Sequence, residues 1–327
     1  MTQARALWTI APGVAELRPE ALPARAPDQV LARMLASGIS RGTERLVLAG
    51  KVPENQWGVM RCPLQAGDFP FPVKYGYSGV ARVTEGPTEL QGRRVFCLHP
   101  HQDVFLAPAA MCIPVPDAVP DTRAVLGANM ETALNILWDA EPLAGERALV
   151  IGAGVVGLLV AYLLARIPAM AVTIIDPDPL RRAIAAQFGV AFDAPEAAPT
   201  EQELIIHASA NPAGLRQALQ CAAFEARIIE ASWFGAQEVA LPLGEAFHSR
   251  RLRLISSQVG AVAPAMRARR NFGQRMALAL SLLADPVLEA LIGPATPFEN
   301  LPQAIPGLLN PAPGTPAPLC PLVTYGA

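Results

Sequence analysis

The 327 residues are 52% hydrophobic and 17% charged, which excludes a chain disordered over most of its length, because disorder needs few apolar residues and much charge. The 26 basic and 28 acidic side chains leave a net charge of −2, so nothing marks a nucleic-acid binder or a protein drawn to an anionic membrane. The length suits one large or two ordinary domains. In chain order, Val30–Ala36, Gly79–Thr84 and Arg93–Leu98 are β-rich runs separated by Gly, Pro and Asp, and the first 120 residues or so read as short strands. A helix is expected over Thr122–Asp139. Strands and helices then alternate: strand Arg147–Ile151, helix Val155–Arg166, strand Ala171–Asp176, helix Leu180–Phe188, strand Glu203–Ala208, helix Ala213–Ala222, and strands Ala226–Ser232 and Arg253–Ser257. That alternation means βαβ units on a parallel sheet. A long helix over Pro264–Leu283 and a strand at Pro321–Tyr325 follow, with the Pro-rich runs 195–199 and 311–318 as loops.

Five scattered cysteines (Cys62, Cys97, Cys112, Cys221, Cys320) include no C-x-x-C, so neither a disulfide framework nor a cysteine zinc knuckle is indicated. No basic stretch followed by an apolar one opens the sequence, so no secretory signal is read and a reducing cytoplasm is the expected compartment. The run Ala148–Ala165 is uncharged throughout and long enough to suggest a membrane span. Three glycines within its first ten residues and the stop at Arg166-Ile167-Pro168 favour a buried strand, a glycine turn and a buried helix instead.

Within that run Gly152-Ala-Gly154-Val-Val-Gly157 matches G-x-G-x-x-G. It stands in the required context, with an apolar strand before it, a helix after it and an acid, Asp176, closing the second strand. The first glycine permits the tight turn, the second admits a pyrophosphate to the backbone, and the third lets helix pack on strand. The helix start at Val155 and Val156 offers N–H groups and positive dipole to phosphates. A carboxylate at Asp176 accepts hydrogen bonds from ribose hydroxyls and repels a 2′-phosphate, which favours NAD over NADP. Arg181 and Arg182 follow closely, either to serve a phosphate or as ordinary solvated residues.

A β-rich first part, a fingerprint near residue 150 and a return to β structure resemble the medium-chain dehydrogenase/reductase superfamily. The resemblance is carried by Ser37-Gly-Ile-Ser-Arg-Gly-Thr-Glu44, Gly76-Tyr-Ser-Gly-Val80, Glu131-Thr-Ala133, the fingerprint and Ser256-Ser-Gln-Val-Gly260. It implies an α/β protein: a GroES-like β-rich catalytic domain from residues 1–127 and 268–327, flanking a Rossmann domain with a doubly wound parallel sheet over 128–267. It also implies a homodimer and a small-molecule substrate between the domains. By motif it puts Arg41 near the pyrophosphate, Thr132 near the nicotinamide, Ser256 and Ser257 beside the carboxamide, and Ala208 and Ser209 on the adenine-ribose side. The SGIS-x-GTE string most resembles the dehydrogenases of bacteriochlorophyll synthesis, which oxidise a hydroxyethyl group on a chlorin ring.

Zinc-dependent members of that superfamily set metal ligands at positions that here hold Ser40, Tyr77 and Ala128, none of them a zinc ligand. The four-cysteine lobe is missing, and Cys97-Leu-His99-Pro-His101 cannot easily close a tetrahedron from one strand. The expectation is therefore an enzyme without zinc, in which hydrogen-bond donors carry the charge that develops on oxygen during hydride transfer. Tyr77 leads as donor, with an aromatic filling the vacated metal cavity as the alternative. Ser40 and Thr43 extend a relay or serve as caps. Glu131 and Glu44 are the nearby acids, as general base or as Arg-paired or surface carboxylates, and His99 and His101 are weaker candidates. The leading expectation is a zinc-independent, NAD(H)-dependent oxidoreductase interconverting a secondary alcohol and a ketone, and two rival readings stand beside it. One is an NADPH-dependent enoyl or quinone reductase, the other a dinucleotide-binding redox sensor without turnover.

Overall fold

The computed structural model describes residues 2–312, 315 and 317–326; of the loop read over 311–318, residues 313, 314 and 316 lie outside the described residues. The chain opens with a hairpin, β1 (Gln3–Ala11) and β2 (Val14–Ala21), turned at Gly13, which has a φ of +74°. There follow β3 (Gln29–Gly38), helix α1 (Arg41–Leu48), the two-residue strands β4 (Ala66–Gly67) and β5 (Val73–Lys74), then β6 (Gly79–Glu85), β7 (Arg94–Cys97), β8 (Val104–Pro108) and β9 (Ile113–Pro114). Along β3 alternate residues Val30, Ala32, Met34 and Ala36 are buried, the period-2 pattern of a strand with one face on a core.

The helix expected over Thr122–Asp139 is two helices, α2 (Asp121–Ala124) and α3 (Gly127–Ala140). The break falls where the Phe96 ring lies so close to Gly127 that a Cβ there would come within 2.8 Å of it. The buried Arg123 also ties its turn to the carbonyls of Ala118 and Ala284.

Strand and helix then alternate as expected: β10 (Arg147–Ile151), α4 (Val155–Leu164), β11 (Ala171–Ile175), α5 (Arg181–Gln187), β12 (Ala191–Asp193), β13 (Gln202–His207), α6 (Pro212–Cys221), β14 (Ala222–Glu230) and β15 (Arg253–Ser256). These strands form one parallel sheet in the order β12-β11-β10-β13-β14-β15. That is the Rossmann order, which reverses between β10 and β13. The uncharged run 148–165 is used up by β10, the glycine turn and α4, whose residues Gly157–Leu164 are all buried. Among the described residues no helix is long and apolar enough to cross a membrane.

The long helix expected from Pro264 begins only at Phe272, as α7 (Phe272–Leu282), after a run of turns. Its start is set by Asn271 and Gln274. The Asn271 Oδ1 accepts from the Gln274 N–H at 2.8 Å and the Gln274 Oε1 accepts from the Asn271 N–H at 3.1 Å, a reciprocal capping box. The chain ends with β16 (Ile292–Pro297), α8 (Leu301–Leu309) and β17 (Cys320–Thr324), and β17 is inserted between β16 and β3 in a mixed sheet.

Two compact units result, Met1–Ala128 with Met276–Ala327, and Asn129–Arg275. The first is β-rich and made from both ends of the chain; the second is the Rossmann unit. All five cysteines are free thiols and buried.

Candidate functional site

In the Rossmann unit the glycine turn, Asp176 and the Ala208–Ser209 pair stand at the carboxyl ends of β10, β11 and β13, beside the point where the strand order reverses. Gly152 has a φ of +106°, and a Cβ there would come within 2.9 Å of the Ser209 backbone, so only glycine suits both the conformation and the close approach. A Cβ on Gly157 would meet the Gly152 carbonyl oxygen at 1.9 Å, so the third glycine lets α4 start directly against the turn. Gly154 is exposed, nothing lies within 4 Å of where its Cβ would be, and Val155 and Val156 are half-buried. The first N–H groups of α4 have no intrahelical partner by geometry and thus offer an anion site.

Asp176 is bound to this turn. Its Oδ2 accepts from the Ala153 N–H at 2.7 Å and its Oδ1 from the Asp178 N–H at 2.8 Å, which leaves carboxylate lone pairs for ribose hydroxyls. Arg181 pairs with Asp178 at 3.1 Å. Arg182 donates to the Phe192 carbonyl at 2.8 Å and lies over the Phe192 ring.

Sequence reasoning missed the polar network beneath Ala208 and Ser209. His207, fully buried, shares one hydrogen bond of 2.7 Å between its Nδ1 and Glu230 Oε2, and another of 2.7 Å between its Nε2 and Ser209 Oγ. The Glu230 Oε1 accepts from the Ser232 N–H at 2.7 Å. The available signal was the polar residue that ends each of two apolar strands, His207 after Leu-Ile-Ile and Glu230 after Ile-Ile.

Glu131 is not a free base. It lies buried on α3 with its Oε1 accepting from Arg275 Nε at 3.0 Å, and Arg275 is itself only 2% exposed. Burial pushes the Glu131 carboxyl upward, and Arg275 pulls it back. One and two turns further along α3, Asn135 and Asp139 continue the stripe. The Asn135 Oδ1 accepts from Arg275 Nη1 at 2.6 Å and from the Ala263 N–H at 3.0 Å; the Asp139 Oδ2 accepts from the Ser257 hydroxyl at 2.6 Å. Arg275 also donates to the carbonyls of Val259 and Ala261. Ser257 and the segment after β15 are thereby fixed to α3, with Ser256 at the end of β15 and Thr132 on α3 next to Glu131.

The other predicted residues lie in the β-rich unit. Tyr77 packs edge-on against Tyr75 with ring centroids 5.9 Å apart. Burial, then the nearby charge of Glu44, pushes its hydroxyl up to about 12, while the Ser40 and Thr43 hydroxyls beside it act in the lowering sense. Such a phenol stays protonated at neutral pH and can donate. Arg41 sits on α1, and its guanidinium donates to the carbonyls of Leu308, Leu309 and Pro318. This ties α1 to the chain after α8, a partner set the pyrophosphate expectation did not include.

His99 is buried, stacked on Phe105 with centroids 4.0 Å apart, and its Nδ1–H donates to the Pro100 carbonyl. Burial lowers its pKa to about 3. Among the described residues no three His, Cys, Asp or Glu side chains converge to hold a metal. The lowered His99 pKa has a thermodynamic consequence. Between pH 6.5 and about 3 the unfolded chain binds a proton at this position that the folded chain does not, so stability falls on acidification through that window. His99→Leu should flatten the acid slope of urea-unfolding free energy by about 1.4 kcal/mol per pH unit between pH 6 and pH 4. A variant as acid-sensitive as its parent would show that His99 is charged when folded.

No protein-family model and no curated protein matches the sequence. Solved structures do match over the whole chain. They include a short chain alcohol dehydrogenase from E. coli CFT073 in complex with NADH, at 17% identity and a TM-score of 0.79, covering 99% of this chain and 100% of that one. A zinc-binding dehydrogenase from Sinorhizobium meliloti 1021 bound to NADP matches at 17% identity with the same TM-score and coverage. L-idonate 5-dehydrogenase from Escherichia coli K-12 matches at 13% and 0.81, covering 99% of both chains. Likeness at these identities carries the fold: the chain has the architecture of the medium-chain dehydrogenases, a Rossmann unit joined to a GroES-like unit built from both ends of the chain.

Proposed function

We propose that the chain is an NAD(H)-dependent oxidoreductase interconverting a secondary alcohol and a ketone without zinc. The observation that carries this reading is the glycine turn with Asp176 bonded to it: an open anion site next to a carboxylate placed for ribose hydroxyls. With Arg181 paired to Asp178 and Arg182 held on Phe192, the site favours NAD over NADP. The alcohol dehydrogenases among the structural neighbours, one holding NADH, support the reaction class. Zinc does not fit the residues present, because Ser40, Tyr77 and Ala128 offer no ligand set. A bound nicotinamide would supply or accept the hydride. The chain's own part is to hold the dinucleotide at the glycine turn and to present hydroxyl donors, Tyr77 first, to the reacting oxygen.

Fluorescence titration should show NADH bound at least about tenfold more tightly than NADPH, a difference of about 1.4 kcal/mol, and Asp176→Ser should narrow the gap. Turnover on secondary alcohols and methyl ketones, including hydroxyethyl-substituted arenes, should survive chelator. Tighter NADPH binding with turnover of enones or quinones would favour a reductase. Binding without any turnover would favour a sensor, and activity lost with stoichiometric zinc would sink the zinc-free reading.

A further inference from the structure

A chain of polar side chains runs through the core of the β-rich unit. The Tyr325 hydroxyl lies 2.8 Å from Ser37 Oγ, which lies 2.7 Å from His101 Nδ1; His101 Nε2 lies 3.1 Å from Glu44 Oε2. The Glu44 Oε1 accepts from the Ser40 N–H at 2.7 Å. Ser37, His101 and Glu44 are 0%, 1% and 5% exposed. Each buried polar group here only offsets the cost of its own desolvation, so stability alone does not call for this arrangement.

Three features relate the chain to Tyr77. Gly76, directly before it, has a φ of +129°, and a Cβ there would come within 3.0 Å of the His101 ring, so the turn that carries Tyr77 rests on His101. Glu44 shares the first turn of α1 with Thr43, and its charge is among the forces that raise the Tyr77 hydroxyl. The Ser40 and Thr43 hydroxyls hydrogen-bond to Tyr77, and the Ser40 N–H is bonded to Glu44. At the opposite end, Tyr325 lines a cavity of about 210 Å³ with the charged residues Arg5, Arg33, Asp103 and Glu299.

We infer that Glu44, His101, Ser37 and Tyr325 form a proton relay between the Tyr77 hydroxyl and the charged cavity at Tyr325. The inference rests on the oxidoreductase reading, and these residues act through Tyr77 without touching substrate. With Glu44 as carboxylate, every donor points one way: Tyr325 O–H to Ser37, Ser37 O–H to His101 Nδ1, His101 Nε2–H to Glu44. In the direction of ketone reduction a solvent proton bonds to the Tyr325 oxygen, the Tyr325 proton passes to Ser37, the Ser37 proton to His101 Nδ1, and the Nε2 proton to Glu44. Four bonds to hydrogen break and four form; solvent loses one proton and Glu44 gains it. Glu44 then gives that proton to the Ser40 hydroxyl, and the Ser40 hydroxyl gives its own to Tyr77, to which it is hydrogen-bonded and which has given its proton to the alcohol oxygen. Oxidation runs the same steps in reverse.

Tyr325→Phe tests this with little risk to folding, because the ring stacked on Phe298 at 4.6 Å is kept and only the hydroxyl goes. With NADH and a panel of aryl and alkyl methyl ketones, Tyr325→Phe should lower kcat about tenfold and His101→Asn about a hundredfold. Both should raise the solvent deuterium isotope effect on kcat and leave the NADH affinity as in the parent. In ¹⁵N spectra of histidine-labelled protein, His101 should carry its proton on Nε2, a measurement that needs no turnover. Parent-like kcat and isotope effect in Tyr325→Phe, or a proton on Nδ1, would overturn the relay while leaving the oxidoreductase reading intact. A parent that binds NADH yet reduces nothing would instead defeat that reading, and the relay with it.

Discussion

Tyr77→Phe should lower turnover by on the order of a hundredfold while leaving NADH affinity unchanged. Removing one hydrogen-bond donor to a developing oxyanion has an effect of that size, and the substitution keeps the ring packed on Tyr75. The glycine turn and Asp176 belong to the other unit, so dinucleotide binding is spared. A Tyr77 that merely fills space gives the opposite pattern. Phe would be almost silent, and Ala would destabilise by about 3 kcal/mol as the cavity opened. A Phe variant within about threefold of its parent would remove Tyr77 from the mechanism under the same donor arithmetic, leaving Ser40 and Thr43 as the hydroxyls to test.

Glu131→Ala should destabilise the Rossmann unit by about 3–5 kcal/mol, because it leaves the Arg275 guanidinium buried without its counter-ion. The damage should extend to the residues Arg275 holds at Val259 and Ala261, so NADH binding should weaken as well. Replacing both partners, Glu131→Leu with Arg275→Met, should recover much of the loss, since no unpaired charge then remains buried. Thermal unfolding of the two variants beside the parent measures this. An Ala variant as stable as the parent would mean that water reaches Arg275.

These two residues show where sequence reading succeeds and where it stops. The glycine turn was legible because its chemistry is contiguous: strand, three glycines and helix follow one another, and Asp176 closes the next strand of the same βαβ unit. Tyr77 was legible only through resemblance, as the residue standing where zinc-dependent enzymes place a ligand. Glu131 stays open in the sequence between a general base and an Arg-paired carboxylate because its partner is 144 residues away, and no local pattern announces an arginine that returns from α7. The relay is harder still, since Ser37 meets Tyr325 across 288 residues, and only the pairing of β17 with β3 joins them. The misplaced start of α7 is a different kind of error. The N-x-x-Q box at Asn271 is present in the sequence, whereas the helix is read from Pro264.

The insertion of β17 between β16 and β3 has a bearing on how the molecule is made. A ribosome delivers β3 early, yet Leu322, the partner of Gly38, emerges only after every residue of the Rossmann unit has been synthesised. Domains fold as units during translation, so the Rossmann unit can close while the β-rich half still waits with the β3 edge unpaired. For that interval the nascent chain exposes a strand edge able to recruit foreign strands. A holding chaperone acting on this protein would therefore be needed at the first hundred residues, although those are the first to appear.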